Sequence, residues 1–225
     1  MKGTAFGAGV GPGDPELMTL KTIKLIREND VIAVPGTNAK ESLAYRIAEG
    51  AVPEITGKEL IALDMPMAKD RDLLKASHAR AAHVIEEYLD AGKNVVYLTL
   101  GDPTVYCSFS YIQEILEADG YNVELSPGVT SFSASAARLG TPLTEWDEPL
   151  HILPSNHINE EALDLPGTCV LMKAGGRMPL VKQMLKDSGR AVMAVSNCGM
   201  ENEQIYKGPD EIPDDAGYFS LIIAK

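Results

Sequence analysis

The feature that most constrains the fold is a regular alternation of short apolar segments with longer amphipathic ones over residues 4–139. Runs of four to seven apolar residues bounded by glycine or proline are typical of buried strands, and apolar residues at helical spacing indicate helices. The predicted strands cover 4–10, 30–34, 59–63, 94–100 and 123–125, and the predicted helices cover 15–28, 43–51, 70–91, 108–120 and 130–139. This alternation predicts a mainly parallel sheet covered by helices.

The pattern changes after about Trp146. Strands are predicted over 150–153, 168–172, 191–196, 204–206 and 218–224, with one clear helix over 179–187. Because residues 144–148 have the composition of a connector, we predict an N-terminal α/β domain over 1–146 and a C-terminal α/β domain over 147–225. The fold class is therefore α/β, and two such domains side by side create a cleft, where ligands commonly bind.

Charge and composition exclude several classes of function. The net charge of −12 disfavours nucleic acid as a partner, since such a surface repels phosphate backbones. No segment approaches the ~20 apolar residues of a membrane helix, and the N-terminal residues lack the apolar core of a signal peptide, so we expect a cytoplasmic protein. The three cysteines form no paired motif, and we predict neither a disulfide framework nor a metal site.

The first strand leads into a glycine-rich loop, Gly7-Ala-Gly-Val-Gly-Pro-Gly-Asp-Pro. A dinucleotide-binding motif would need glycine where Pro12 or Asp14 stands, and the second strand ends at Pro35 without an acidic residue for a ribose. A phosphate-binding loop is also excluded, because no Gly-Lys pair is followed by Ser or Thr. The loop is either a ligand-binding turn or a plain strand-to-helix turn with Pro15 at the helix start.

Two further loops have the same strand-to-helix form. In Leu98-Thr-Leu-Gly-Asp-Pro-Thr-Val-Tyr, Asp102 is a candidate to accept a hydrogen bond from a cofactor or to act as a general base, or else to cap the next helix. In Ser126-Pro-Gly-Val-Thr-Ser, the alternative role of Thr130 or Ser131 is also helix capping. Because ligands gather at the carboxyl ends of strands in open α/β sheets, the three loops together predict one site.

These loops carry a family resemblance. The segments Gly9-Val-Gly-Pro-Gly-Asp-Pro-Glu-Leu-Met-Thr-Leu-Lys, Leu100-Gly-Asp-Pro-Thr-Val-Tyr and Pro127-Gly-Val-Thr-Ser-Phe resemble, in the right order, three signatures of the tetrapyrrole methylases. The resemblance implies two α/β domains that bind S-adenosylmethionine between them, a tetrapyrrole substrate and a homodimer. Within the family, the stretches 30–35, 99–106 and 131–139 and Ile152-Leu-Pro resemble the branch that methylates C-20 of a cobalamin precursor.

The resemblance also assigns residues. The implied cofactor contacts are Pro12, Leu100, Gly101, Asp102, Val105, Thr130, Ser131, Met172 and, in the Asn197-Cys-Gly turn, Cys198. Asp102 and Tyr106 are the candidate catalytic residues for removing the ring proton, with water as the alternative. Because the substrate is polyanionic and the protein acidic, a local basic rim is required, and Arg138, Lys173 and Arg177 are its candidates, ordinary solvated charge being their alternative role.

The resulting hypothesis is methylation of cobalt-factor II to cobalt-factor III. Two alternatives stay open at this point. One is methylation of another substrate, above all metal-free precorrin-2 in the oxygen-dependent branch. The other is a non-catalytic protein that binds a tetrapyrrole or the cofactor.

Overall fold

The computed structural model describes residues 1–66, 68, 70–155, 158 and 160–225. The chain divides into two compact units, Met1–Thr130 and Ser131–Lys225. The first unit is built on a five-stranded sheet with the order β3-β2-β4-β1-β5, in which every neighbouring pair is parallel. Its strands are β1 (Thr4–Gly9), β2 (Val31–Pro35), β3 (Glu59–Leu63), β4 (Val95–Thr99) and β5 (Asn122–Ser126).

Helices connect these strands and cover both faces of the sheet. They are α1 (Leu20–Glu28), α2 (Leu43–Ala51), α3 (Arg71–Asp90) and α4 (Phe109–Ala118). One core, which includes Ile26 of α1 and Ile47 of α2, packs on one face of the sheet. The other core joins Ile85 of α3 and Ile112 of α4 on the opposite face. The predicted parallel sheet between helices is therefore confirmed.

The helix predicted from Pro15 begins later. Pro15–Leu17 forms a single 3-10 turn, and Met18 and Thr19 are extended before α1 starts at Leu20. The Thr19 side chain accepts a hydrogen bond from the Thr22 N–H at 3.2 Å, which is the geometry of an N-cap. The capping residue, rather than the proline, thus fixes where the helix starts.

The second unit has a mixed five-stranded sheet with the order β6-β7-β10-β8-β9. Strands β6 and β7 are parallel, and the remaining neighbours are antiparallel. The elements are α5 (Ser131–Leu139), β6 (Leu150–Pro154), α6 (Glu160–Leu163), β7 (Thr168–Met172), α7 (Met178–Ser188), β8 (Val192–Ser196), β9 (Gln204–Lys207) and β10 (Ser220–Ala224). Both units are thus sheets covered by helices, and the α/β fold class is confirmed.

The division between the units falls earlier than the boundary predicted near residue 146. The reason is helix α5, whose Ala136 packs against Val170 of β7 and against Leu221 and Ile223 of β10. The helix follows the third loop in sequence but shares its core with the second sheet. Within the described part of the chain, no helix is both long and apolar enough to span a membrane.

Candidate functional site

The carboxyl ends of β4, β1 and β5 lie side by side, because these strands are neighbours in a parallel sheet. The three loops that follow them touch through glycine backbone. A Cβ atom on Gly9 would lie 2.4 Å from the carbonyl oxygen of Gly101, and one on Gly128 would lie 2.1 Å from the same oxygen. We call Gly9, Gly101 and Gly128 the glycine junction. No residue with a side chain fits at Gly9 or Gly128 unless the loops separate.

Backbone hydrogen bonds fix the first loop to the second. The Gly101 N–H donates to the carbonyl of Gly11 at 2.8 Å, the Gly11 N–H donates back at 3.3 Å, and the Val10 N–H donates to the carbonyl of Thr99 at 2.9 Å. Pro12, the predicted cofactor contact of the first loop, follows this bridge directly and is buried. The structure therefore brings Pro12, Leu100 and Gly101 to the same end of the sheet.

Gly101 differs from its partners in the junction. Its φ of +69° lies in the left-handed region, and no described heavy atom outside Gly101 and its two chain neighbours lies within 4 Å of the position that its Cβ would take. The backbone of the second loop thus faces open space at this residue. Glycine is suited to such a position, since it adopts positive φ readily and allows a ligand to approach the main chain.

Asp102 joins the second loop to the third. Its Oδ1 accepts hydrogen bonds from the backbone N–H and the hydroxyl of Thr104, and its Oδ2 accepts one from the Gly128 N–H at 2.9 Å. The side chain is buried and does not cap helix α4, which begins at Phe109. Both carboxylate oxygens therefore already have partners within the protein, and they hold the glycine junction together.

The second loop ends in a strained tyrosine. Tyr106 has a φ of +48°, which is uncommon for a residue with a side chain, and it is 48% exposed. Val105 is half-buried, and its N–H donates to the carbonyl of Asp102 at 3.3 Å. Backbone strain is concentrated at functional sites in many proteins, which is consistent with a role for this turn.

In the second unit, the turns after β7 and β8 lie at one edge of the sheet, because both strands pair antiparallel with β10. Met172, which ends β7, is half-buried, whereas Cys198 is buried. Burial raises the pKa of the Cys198 thiol. Lys173 follows Met172 with a φ of +61°. The structure thus brings Met172, Lys173 and Cys198 to the same edge.

A glutamate that the sequence analysis missed organises the turn around Cys198. Glu203 accepts a hydrogen bond from the Gly199 N–H at 2.9 Å and pairs with the guanidinium of Arg138 on α5. Burial would raise the pKa of Glu203, but the Gly199 N–H and Arg138 together lower it below its usual value. The only signal in the sequence was an acidic residue close to the predicted Asn197-Cys-Gly turn.

The pairing with Glu203 bears on the predicted basic rim. It places a carboxylate against Arg138, whose charge is then locally balanced. Arg177 is half-buried at the end of the 3-10 turn Gly175–Arg177, which follows Lys173 in the chain.

Among the residues that the structure describes, no group of three or more His, Cys, Asp or Glu side chains is arranged to hold a metal ion. Thr130 and Ser131 are both half-buried, where the third loop runs into α5.

Comparison with known proteins gives a consistent set of relatives. The profile of the tetrapyrrole (corrin/porphyrin) methylases matches residues 5–211. A Methanocaldococcus jannaschii protein named as a probable cobalt-precorrin-2 C(20)-methyltransferase is 36% identical over 224 residues, which cover 98% of this chain and 95% of the relative. A precorrin-2 C(20)-methyltransferase from Sinorhizobium is 30% identical over 232 residues, covering 98% and 94%.

Among solved structures, the chain is similar in fold to the uroporphyrin-III C-methyl transferase of Thermus thermophilus complexed with S-adenyl homocysteine. The TM-score is 0.69, the sequence identity is 23%, and the match covers 99% of this chain and 97% of that one.

Proposed function

Because this chain belongs to the tetrapyrrole (corrin/porphyrin) methylase family, we propose that it transfers the methyl group of S-adenosylmethionine to C-20 of a cobalamin precursor, converting cobalt-factor II to cobalt-factor III. The observation that carries this proposal is the glycine junction. It joins the three loops that hold the family signatures and leaves the Gly101 backbone facing open space. A cytoplasmic location and a homodimeric state remain predictions.

The residues around the junction fit the proposed cofactor. S-Adenosylmethionine supplies a methyl group that is already activated on a sulfonium, so the protein needs to bind and align it rather than generate a reactive group. Glycine at position 101 leaves the main chain accessible, which suits a ligand that is held largely through backbone contacts. The proposed contacts in the first unit are Pro12, Leu100, Gly101, Asp102, Val105 and Thr130. Those in the second unit are Ser131, Met172 and Cys198.

We assign Asp102 a positioning role in this site. Its carboxylate already accepts three hydrogen bonds, from the N–H and hydroxyl of Thr104 and from the N–H of Gly128. Those bonds set the separation of the second and third loops, and hence the shape of the cofactor site. The proton that leaves C-20 after methyl transfer then passes to water, either directly or through the hydroxyl of Tyr106, which is 48% exposed and can take up this proton while it donates its own to solvent.

The proposed substrate carries several carboxylates, whereas the protein has a net charge of −12. Basic side chains near the site must therefore offset the repulsion between the acidic protein and the substrate carboxylates. The candidates are Arg138, Lys173 and Arg177, and Arg138 also pairs with Glu203. The preference for a cobalt-containing substrate is supported by the methanogen relative, which is named as a probable cobalt-precorrin-2 methyltransferase and is 36% identical, whereas the Sinorhizobium relative, named for metal-free precorrin-2, is 30% identical.

The experiment that tests the cofactor assignment is a calorimetric titration with S-adenosylhomocysteine and, separately, with NAD. We expect S-adenosylhomocysteine to bind with a Kd near 1 μM or below, about −8 kcal/mol, and NAD not to bind. Binding of NAD alone would overturn the proposal.

A pair of glycine variants locates the cofactor. Gly101→Ala should weaken S-adenosylhomocysteine binding by at least about tenfold, because the new Cβ projects into the space proposed for the ligand. Gly120→Ala is the matched control: Gly120 also has a positive φ, of +79°, and no described neighbour within 4 Å of a Cβ, but it precedes β5 at the opposite end of the sheet. Equal loss of affinity in the two variants would remove Gly101 from the site.

A further inference from the structure

Two adjacent aromatic side chains are exposed at one edge of the second sheet. Tyr218 and Phe219 immediately precede β10 and are 41% and 42% exposed. Their rings contact each other edge to face, with centroids 5.4 Å apart and an angle of 84° between the planes. The five residues that follow, Ser220–Ala224, are all buried. The strand, rather than the aromatic pair, therefore supplies the core contacts of this segment.

The backbone that carries the two rings is held in place. The Asn197 N–H donates to the carbonyl of Phe219 at 3.1 Å, and the hydroxyls of Ser196 and Ser220 share a hydrogen bond of 2.7 Å. Exposed aromatic rings on an ordered backbone lose little conformational entropy when a ligand covers them. The pair is therefore preorganised as a contact surface.

A cation completes this surface. Strands β7 and β10 are antiparallel, and Leu221 lies opposite Met172. Lys173, which follows Met172, therefore lies at the same edge of the sheet as Tyr218 and Phe219. The ammonium of Lys173 is 5.5 Å from the centroid of the Tyr218 ring, within the range of a cation–π contact. Because the rings are perpendicular, a flat ligand can meet the face of one ring and the edge of the other, and together with the ammonium they suit a ligand that is flat, conjugated and carries carboxylates.

We propose that Tyr218, Phe219 and Lys173, here called the aromatic edge, bind the tetrapyrrole substrate. One ring contacts the face of the macrocycle with its own face and the other with its edge, and the Lys173 ammonium pairs with one of the macrocycle's carboxylates. This inference rests on the proposed function, because it takes the ligand to be the substrate of the methyl transfer. It is supported by the position of the aromatic edge beside Met172 and, through Asn197, beside Cys198, two of the proposed cofactor contacts.

The test is a fluorescence titration of the full-length protein with uroporphyrin III, a flat polycarboxylate macrocycle, followed by measurement of KM and kcat with cobalt-factor II. Tyr218→Leu and Phe219→Leu should each raise the Kd for uroporphyrin III and the KM by about tenfold, as expected for loss of an aromatic anchor. Tyr218→Phe should retain wild-type values. Tyr111→Leu, the same change at a 54% exposed tyrosine on α4, should have no effect.

Two further readouts separate binding from folding. Affinity for S-adenosylhomocysteine should be unchanged in every one of these variants, since none of the altered side chains is a proposed cofactor contact. Lys173→Gln should weaken uroporphyrin binding and reduce its dependence on salt, whereas Lys173→Arg should preserve both. If Tyr218→Leu and Phe219→Leu both keep the wild-type Kd and KM, this inference is wrong, but the proposed function is not affected. Failure of the wild-type protein to bind uroporphyrin III and to methylate any tetrapyrrole would overturn the proposed function as well.

Discussion

Replacing Gly128 by alanine tests whether the glycine junction holds the site together. The new Cβ would lie 2.1 Å from the carbonyl oxygen of Gly101, whereas ordinary contacts start at 3.4 Å. The two loops must therefore separate by about 1.3 Å, the difference between these distances. A movement of that size breaks the 2.9 Å hydrogen bond between the Gly128 N–H and Asp102.

The magnitude follows from these two effects. Loss of a hydrogen bond to a charged group costs about 1.5–3 kcal/mol, and overpacking costs about 1–3 kcal/mol. Because alanine also restricts the unfolded chain and thereby offsets part of this loss, we expect a net destabilisation of about 3 kcal/mol. For a chain of this size that corresponds to a fall in Tm of roughly 6–12 °C. The distorted site should bind S-adenosylhomocysteine at least about tenfold more weakly, since the same loops carry the proposed contacts.

The assay is urea unfolding followed by circular dichroism, together with calorimetric titration of the cofactor product. Gly57→Ala is the control, because Gly57 has no positive φ and no described atom within 4 Å of a Cβ, so alanine there should stabilise the protein by about 0.4–1 kcal/mol. If Gly128→Ala unfolds at the wild-type urea concentration and binds S-adenosylhomocysteine with wild-type affinity, the account of the junction is wrong.

Three other predictions concern hydrogen bonds within the two units. Asp102→Asn should weaken S-adenosylhomocysteine binding by about tenfold, because the amide group cannot accept all three hydrogen bonds; calorimetry measures this. Glu203→Gln should flatten the fall in Tm as the pH decreases below about 4.5, since a carboxylate with a lowered pKa stabilises the fold above that pH and loses its contribution as it is protonated. Arg190→Met should destabilise the second unit by about 3 kcal/mol in urea, because it removes the donor to the carbonyls of Leu163, Leu165, Gly167 and Ala224.

Controls separate these effects from general damage. Asp90→Asn alters another carboxylate of the first unit, one that ends α3 and pairs with Lys2 just before β1, at the opposite end of the sheet, and should leave cofactor affinity unchanged. Wild-type affinity in Asp102→Asn would refute the positioning role. A Glu203→Gln variant with the same profile of Tm against pH as the wild type would show that Glu203 does not titrate as argued. Arg190→Lys should recover only part of the loss, because an ammonium has fewer donors than a guanidinium; full recovery would contradict the explanation.

Local sequence patterns predicted most of the fold. The helix over 43–51 and the strands over 59–63 and 168–172 have the predicted bounds, because their apolar residues face a core with the expected period. The start of α1 was predicted five residues too early, because Pro15 begins only a 3-10 turn and the cap at Thr19, which accepts a hydrogen bond from the Thr22 N–H, sets the start of α1. The unit boundary was displaced because the pairing of α5 with the second sheet is a long-range contact.

The site was less predictable than the fold. The motifs identified the three loops but not how they touch, because the contact of Gly9 and Gly128 with the Gly101 carbonyl exists only once β1, β4 and β5 are aligned. The Gly128 N–H that binds Asp102 and the Gly199 N–H that binds Glu203 are likewise backbone groups, which leave no mark in the sequence. The predicted strand over 218–224 included Tyr218 and Phe219, but nothing in its apolar run indicated that these two residues would be exposed.

The central claim is tested most directly by the position and amount of methyl transfer. The purified protein is incubated under strict anaerobiosis with S-adenosylmethionine labelled with ¹³C in the methyl group, and with cobalt-factor II or metal-free precorrin-2 at equal concentration. Mass spectrometry counts the methyl groups added, and ¹³C NMR of the product locates them, the cobalt product being measured in its diamagnetic dicyanocobalt(III) form. The account predicts one labelled methyl group, at C-20, and a higher kcat/KM for the cobalt-containing substrate. Label at another carbon, or no transfer to either substrate by a protein that binds S-adenosylhomocysteine, would contradict it.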